Sequence, residues 1–183
     1  MTLNRTVRHA TVIAMAIALG VGATASSVAA QSAGGLEAFA GRWLMNAAKT
    51  KMGRMGPNGQ NTVRSATFTW TFTPEGQGLR MEVYNQYPQP APTRTMTMIA
   101  DGKARGCDAK NKGACLTSGG QPDEQTYAYF KMDSHMVARL FYEQGKVVEY
   151  STYAVSSDGK TLSIVSWSPE TPEWHNIQVF DKQ

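Results

Sequence analysis

The sequence is poor in histidine, cysteine and charge, the features that most often announce chemistry. Of its 183 residues three are His and two are Cys, and 17% are charged. Gly-x-Ser-x-Gly, His-Glu-x-x-His and clusters of metal-type carboxylates are absent, which removes the usual hydrolase and metallopeptidase signatures. No enzyme activity and no cofactor are expected. No apolar run reaches the roughly 18 residues of a membrane-spanning helix, and no helical periodicity extends beyond two turns; Leu36 to Ala40 is at most a short turn. The basic residues are scattered, with Lys49, Lys51 and Arg54 the densest group and Arg105, Lys110 and Lys112 the next. Nucleic-acid binding needs a basic stripe, so it is not expected. At 42% hydrophobic the chain is too apolar for disorder.

What is present begins with a leader. Arg5 and Arg8 precede the apolar stretch Thr11 to Val21, and Val28 and Ala30 take the −3 and −1 positions of a small-residue cleavage site. This is the pattern of a secretory signal over 1–30, followed by one domain over 31–183 in the periplasm or outside the cell. No Cys follows the apolar stretch, and the two arginines are not adjacent, so neither a lipid anchor nor a twin-arginine signal is indicated. Two of the 18 Lys and Arg leave with the leader while all 14 acidic residues remain, which lowers the net charge from +4 to +2. Cys107 and Cys115 are separated by seven residues, among Gly, Lys, Asp and Asn. An even count in an oxidising compartment favours a disulfide across this loop, worth about 2–3 kcal/mol. A redox pair would sit as Cys-x-x-Cys, and zinc would need two further ligands.

The remainder alternates. Ala66 to Thr73 sets Phe68, Trp70 and Phe72 against three threonines, and Leu79 to Tyr87 sets Leu79, Met81 and Val83 against Arg80, Glu82 and Tyr84. Further strands are expected at Thr95 to Ala100, Thr126 to Met132, Met136 to Glu143, Val147 to Val155, Thr161 to Ser168 and His175 to Phe180. Turns rich in Gly and Asp separate most of them, supplying the positive φ that tight hairpins require. These candidate strands with short connections predict an all-β antiparallel up-and-down barrel of about 8–10 strands. A two-sheet sandwich is the alternative.

A short turn leading into Gly41-Arg42-Trp43 resembles the opening of lipocalins, whose tryptophan plugs the closed end of the barrel. The chain is also similar to a family of small secreted bacterial lipocalin-like proteins, mostly of unknown function. The similarity rests on Phe39, Gly41, Trp43, Asn46 and Lys49-Thr50-Lys51, then Asp101-Gly102-Lys103, then Val155 to Leu162 and Val179 to Gln183. It implies structural roles for Gly41 and Trp43. The cysteine loop looks like an addition after Asp101.

A barrel of this size holds either packed side chains or one small ligand. Phe68, Trp70, Phe72, Met81, Met96, Met98, Phe130, Met132, Leu140 and Tyr150 are the expected inward residues, an aromatic and Met-rich set suited to an apolar or amphipathic ligand. A packed barrel working through its outer surface as an envelope interaction module, with Tyr84, Tyr87 and Pro88-Gln89-Pro90, is the alternative. Cu(I) binding by Met52, Met55, Met96, Met98, Met132, His135 and Met136 is a weaker one. Glu149 is expected to pair outward with Arg139, an exposed bridge worth ~0–1 kcal/mol. Denaturing mass spectrometry of the exported protein is expected to find a chain that starts at Gln31 and is two hydrogens lighter than its reduced form. A retained Met1 would overturn the leader, and a reduced mass the disulfide.

Overall fold

The computed structural model of the chain describes residues 33–51, 68–85, 87–88, 91–106, 125–171 and 175–183. The leader, Met52, Met55, and Cys107 and Cys115 with the disulfide expected between them lie outside the described residues. The strands are β1 (Gly41–Met45), β2 (Thr69–Glu75), β3 (Gly78–Tyr84), β4 (Arg94–Met98), β5 (Arg105–Gly106), β6 (Gln125–Lys131), β7 (Met136–Glu143), β8 (Lys146–Val155), β9 (Thr161–Trp167) and β10 (His175–Lys182). All pairings are antiparallel, and the ten strands form one sheet in the order β4-β3-β2-β1-β10-β9-β8-β7-β6-β5. The fold is thus the expected all-β up-and-down meander, curled into a half-barrel. One 3-10 turn, Glu37–Phe39, is the helical element among the described residues. β5 is two residues long, too short for alternation to reveal, and neither it nor β1 has a counterpart among the expected strands.

The curl follows from one-sided burial. Phe72, Leu79, Met81, Met98, Val137, Phe141, Tyr153, Leu162, Ile164 and Phe180 all point to the concave side and are buried. A twisted sheet with an apolar face of this width removes that face from water by rolling up on it. The roll brings the edges near one another without a continuous ladder. Beyond β4, Asp101 makes a single bridge with Phe130 of β6, and the Gly102 N–H donates to the Tyr129 carbonyl at 2.8 Å. Arg105 holds this seam with two hydrogen bonds to the Asp101 carboxylate, at 2.8 and 2.9 Å. The Arg105 guanidinium, helped by the Lys103 N–H, keeps the Asp101 carboxyl well below the usual carboxylate range.

The segment before β1 closes one end. Ala33, Leu36 and Phe39 are buried, and Lys131 at the end of β6 donates to the Gly34 carbonyl at 3.3 Å. Trp43, fully buried, donates from Nε1 to the Phe39 carbonyl at 2.8 Å, and Lys182 Nζ lies 5.0 Å over its ring. Gly41 adopts φ 127°, and a Cβ there would meet Lys182 Cε at 2.9 Å, so glycine is required beside the lysine that caps the tryptophan.

The residues that carry the family resemblance prove to be partners of one another. Asn46 Nδ2 donates to Asp181 at 2.7 Å, and Lys49 lies 3.7 Å from the same carboxylate. Thr50 Oγ1 accepts from the Val179 N–H at 3.0 Å and Lys51 bridges to Ile177. In the β8–β9 turn, Asp158 accepts from Ser156 Oγ at 2.6 Å and from the Lys160 N–H at 3.0 Å. These motifs therefore hold the architecture together. Replacing Trp43 with Ala empties a fully enclosed site and orphans the Phe39 carbonyl, so an unfolding free energy lower by about 3–5 kcal/mol is expected. Urea titration checks this, and a loss below about 1 kcal/mol would show that the ring does not support the core.

Candidate functional site

The end opposite the Trp43 plug is where β1 runs out to Met45, β3 to Tyr84 and β9 to Trp167. Near it a cleft of about 180 Å³ opens among Phe68, Trp70, Val83, Asn85, Arg94 and Gln178. β2 supplies the aromatic side through its alternation, β3 and β4 the opposite wall, and β10 the remaining side. Trp70 is central. Its ring centroid lies 5.9 Å from that of Phe72, 5.8 Å from Phe180 and 6.4 Å from Tyr153. The ring series continues from Tyr153 to Tyr129 at 6.0 Å and from Tyr129 to Tyr127 at 5.6 Å. The cleft thus stands over an unbroken aromatic cluster that crosses the concave side.

Behind Trp70 the far wall is polar. Arg139 of β7 is the direct cross-strand partner of Tyr129 and of Ser151, so its side chain shares the concave face with Tyr129. Its Nη1 donates to Tyr153 Oη at a long 3.5 Å, its Nη2 lies 3.6 Å from Glu149 Oε1, and its guanidinium carbon sits 5.3 Å from the centroid of the Phe141 ring. Ser151 Oγ donates to Glu149 at 2.9 Å and shares a 3.0 Å hydrogen bond with Ser166. Burial works against the Arg139 charge, but Tyr153, Tyr129 and Glu149 outweigh it, so the group stands above the ordinary arginine value and stays charged. Arg139 Nε is buried in this wall without a hydrogen-bond partner, whereas the Tyr129 hydroxyl interacts with that of Tyr153.

Of the expected inward residues, the structure brings Phe68 and Trp70 to the cleft and buries Phe72, Met81, Met96 and Met98 in the core below it. The other four face elsewhere. Phe130 lies on the convex side against Gly102, and Met132, beyond β6, is 63% exposed. Leu140 and Tyr150 are cross-strand partners on the convex face, where Tyr150 stacks on Trp167 at 5.3 Å. The physical reason is that β6, β7 and β8 carry apolar groups on both faces, so period two alone does not choose a side. The choice is made by Tyr129 and Tyr153, which reach into the aromatic cluster. The expected outward bridge between Glu149 and Arg139 is also corrected: the pair forms, but on the concave face, with 12% of the Arg139 side chain and 31% of the Glu149 side chain accessible. Sequence reasoning missed Tyr129, Arg139 and Tyr153. The signal that could have found them is the Tyr127/Tyr129 alternation and the spacing of Val137, Arg139 and Phe141.

Tyr84 and Tyr87 pack edge to face, with ring centroids 5.5 Å apart, on the outside, and Arg42 lies 4.8 Å from the centroid of the Tyr87 ring. Among the described residues, no group of three or more His, Cys, Asp or Glu side chains is placed to hold a metal ion. No protein-family model and no curated protein matches the chain. The half-barrel itself is compatible with a lipocalin-like fold, and its buried aromatic cluster is compatible with a ligand-binding barrel.

Burial, and next the neighbouring Tyr153, raise the Tyr129 hydroxyl well above the ordinary tyrosine value of 10.0, with Arg139 opposing. The unfolded chain therefore releases this proton first. Stability is whole below 10.0 and falls as pH rises from there towards the folded-state value. Urea midpoints measured between about pH 9 and 11 should decline less in Tyr129→Phe than in the parent. An equal decline in both would mean that Tyr129 is not the group responsible.

Proposed function

We propose that the protein is an exported lipocalin-like binder, periplasmic or secreted, that takes a small apolar or amphipathic molecule into the mouth of its half-barrel and performs no chemistry on it. The observation that carries this is the Trp70-floored cleft lying directly on the aromatic cluster. Ring faces and edges there provide apolar contact with little side-chain entropy to lose. Drug-sized ligands occupy pockets of roughly 300–1,000 Å³. A cleft of about 180 Å³ therefore suits a bicyclic-sized body or one end of a longer molecule. The resemblance to small secreted bacterial lipocalin-like proteins supports the same assignment, as does the leader-like segment over 1–30.

A second reading has one specific observation in its favour. On the convex face the row Ala128, Leu140, Tyr150 and Trp167 runs across four strands, and Trp167 is 39% exposed. A packed barrel acting through its outer surface would use such a row against a partner.

The two separate in a titration with N-phenyl-1-naphthylamine, an uncharged fluorescent probe. Saturable binding is expected, weakened by about tenfold or more in Asn85→Trp, which fills the cleft from its exposed rim. Both proteins should melt alike. Saturable binding that Asn85→Trp leaves untouched would remove the cleft from the proposal, and no binding at all would favour the convex face.

A further inference from the structure

Resting on that proposal, we infer that the ligand is an amphipathic anion, with its apolar body on Trp70 and its carboxylate held at the cleft rim by Arg94. Three observations lead there. First, the strand register puts Arg94 on the concave side. It stands directly opposite Val83, which stands directly opposite Trp70, so one row runs from indole through aliphatic group to guanidinium. Along β4 the same face continues as Met96 and Met98, both buried. Arg94 is where that thioether face reaches the mouth, and it lines the cleft itself. The Thr93 N–H donates to the Val83 carbonyl at 2.7 Å, and Thr93 Oγ1 accepts from the Asn85 N–H at 3.3 Å, so β3 fixes the backbone beside it. Second, the guanidinium is uncommitted. Arg80, Arg105 and Arg139 each lie against a carboxylate, and Arg42 lies against the Tyr87 ring. Arg94 is exposed and has no such partner among the described residues.

Third, the chain around the cleft carries charge of one sign. Between Glu37 and Glu75, the stretch that supplies β1 and most of β2, there are five Lys and Arg and no acidic residue. Between Glu82 and Asp101, Arg94 is the one charged residue. The other polar groups lining the cleft, Asn85 and Gln178, are neutral. The acid of β3, Glu82, alternates to the convex side, where Arg80 and the Tyr84 hydroxyl each hold it at 2.9 Å. Glu149, across the concave side, is engaged by Arg139. An arriving anion therefore meets a free cation and no unpaired like charge. A carboxylate matches the guanidinium fork through two parallel hydrogen bonds. At an open rim it also keeps part of its hydration, which spares it the full cost of burial.

The test compares three probes with the same two-ring body: 2-naphthoate, neutral 2-acetylnaphthalene and the 2-naphthylmethylammonium ion. The parent should bind the naphthoate about fivefold more tightly than the acetyl compound, the worth of a partly exposed charge-assisted pair. The ammonium ion should bind weakest. Arg94→Gln should erase the preference for the anion while leaving 2-acetylnaphthalene affinity unchanged. Arg94→Glu should invert the order, with the ammonium ion now ahead of the naphthoate. Both variants should melt like the parent, because the side chain they replace is exposed and unpaired. Equal affinity for the naphthoate and the acetyl compound in the parent would overturn the anionic class and leave the apolar cleft standing. A preference for the naphthoate that survives in both variants would remove Arg94 from the site. Tightest binding of the ammonium ion by the parent would overturn the sign of the charge. Failure of all three probes to bind would bring down the cleft and its anion site together.

Discussion

The contact between Trp70 and Tyr153 is the one on which the architecture turns. β2 and β8 are not neighbours in the sheet; β1, β10 and β9 stand between them. Their rings can meet at 6.4 Å only because the sheet has rolled until opposite walls face each other. Everything on the concave side is organised by that meeting. Phe72 and Phe180 pack around the same indole, the Trp43 plug closes the space at one end, and the cleft is what remains at the other. A flat sheet of the same sequence would leave this face wet, and the loss of apolar burial at roughly 25 cal/mol per Å² would outweigh any ladder hydrogen bond gained.

The interior is divided between two chemistries. β1 to β4 line it with aromatic rings, thioethers and aliphatic groups, while β7 to β9 add a guanidinium, a carboxylate and two hydroxyls joined in one network. A core selected for stability alone would not place an ion pair there, since apolar groups of like volume are often as stable or more so. The polar wall is therefore the part of the interior that packing does not explain. It faces the part that packing explains well, across a single tryptophan.

Much of this was legible in the sequence, and the boundary is physical. The strand order, the hairpin turns and the facing of β2, β3 and β4 followed from threonine–aromatic and Met–Arg alternation, because in those strands one face is plainly polar. Facing failed in β6, β7 and β8, where Phe130, Leu140 and Tyr150 compete with Tyr129, Phe141 and Tyr153. When both faces are apolar the decision passes to contacts between distant strands, which no local window contains. Arg139 was placed outside for the same reason: exposure is the usual fate of an arginine, and only the closed geometry provides Tyr153 and Glu149 as its neighbours. The residues that carry the resemblance, such as Asn46, Thr50 and Asp181, spoke for architecture and carried no information about the cleft.

The pairing of β1 with β10 has a consequence for the order of assembly. These strands, at opposite ends of the meander, are zipped side by side, with Trp43 opposite Lys182 and Met45 opposite Phe180. β1 to β4 and β5 to β10 can each form hairpins early, from local contacts. The two halves cannot be joined until β10 has emerged, so the decisive step is a closure of very long range. A chain emerging amino end first during its synthesis would wait, half-assembled and with its concave face open, for its last strand.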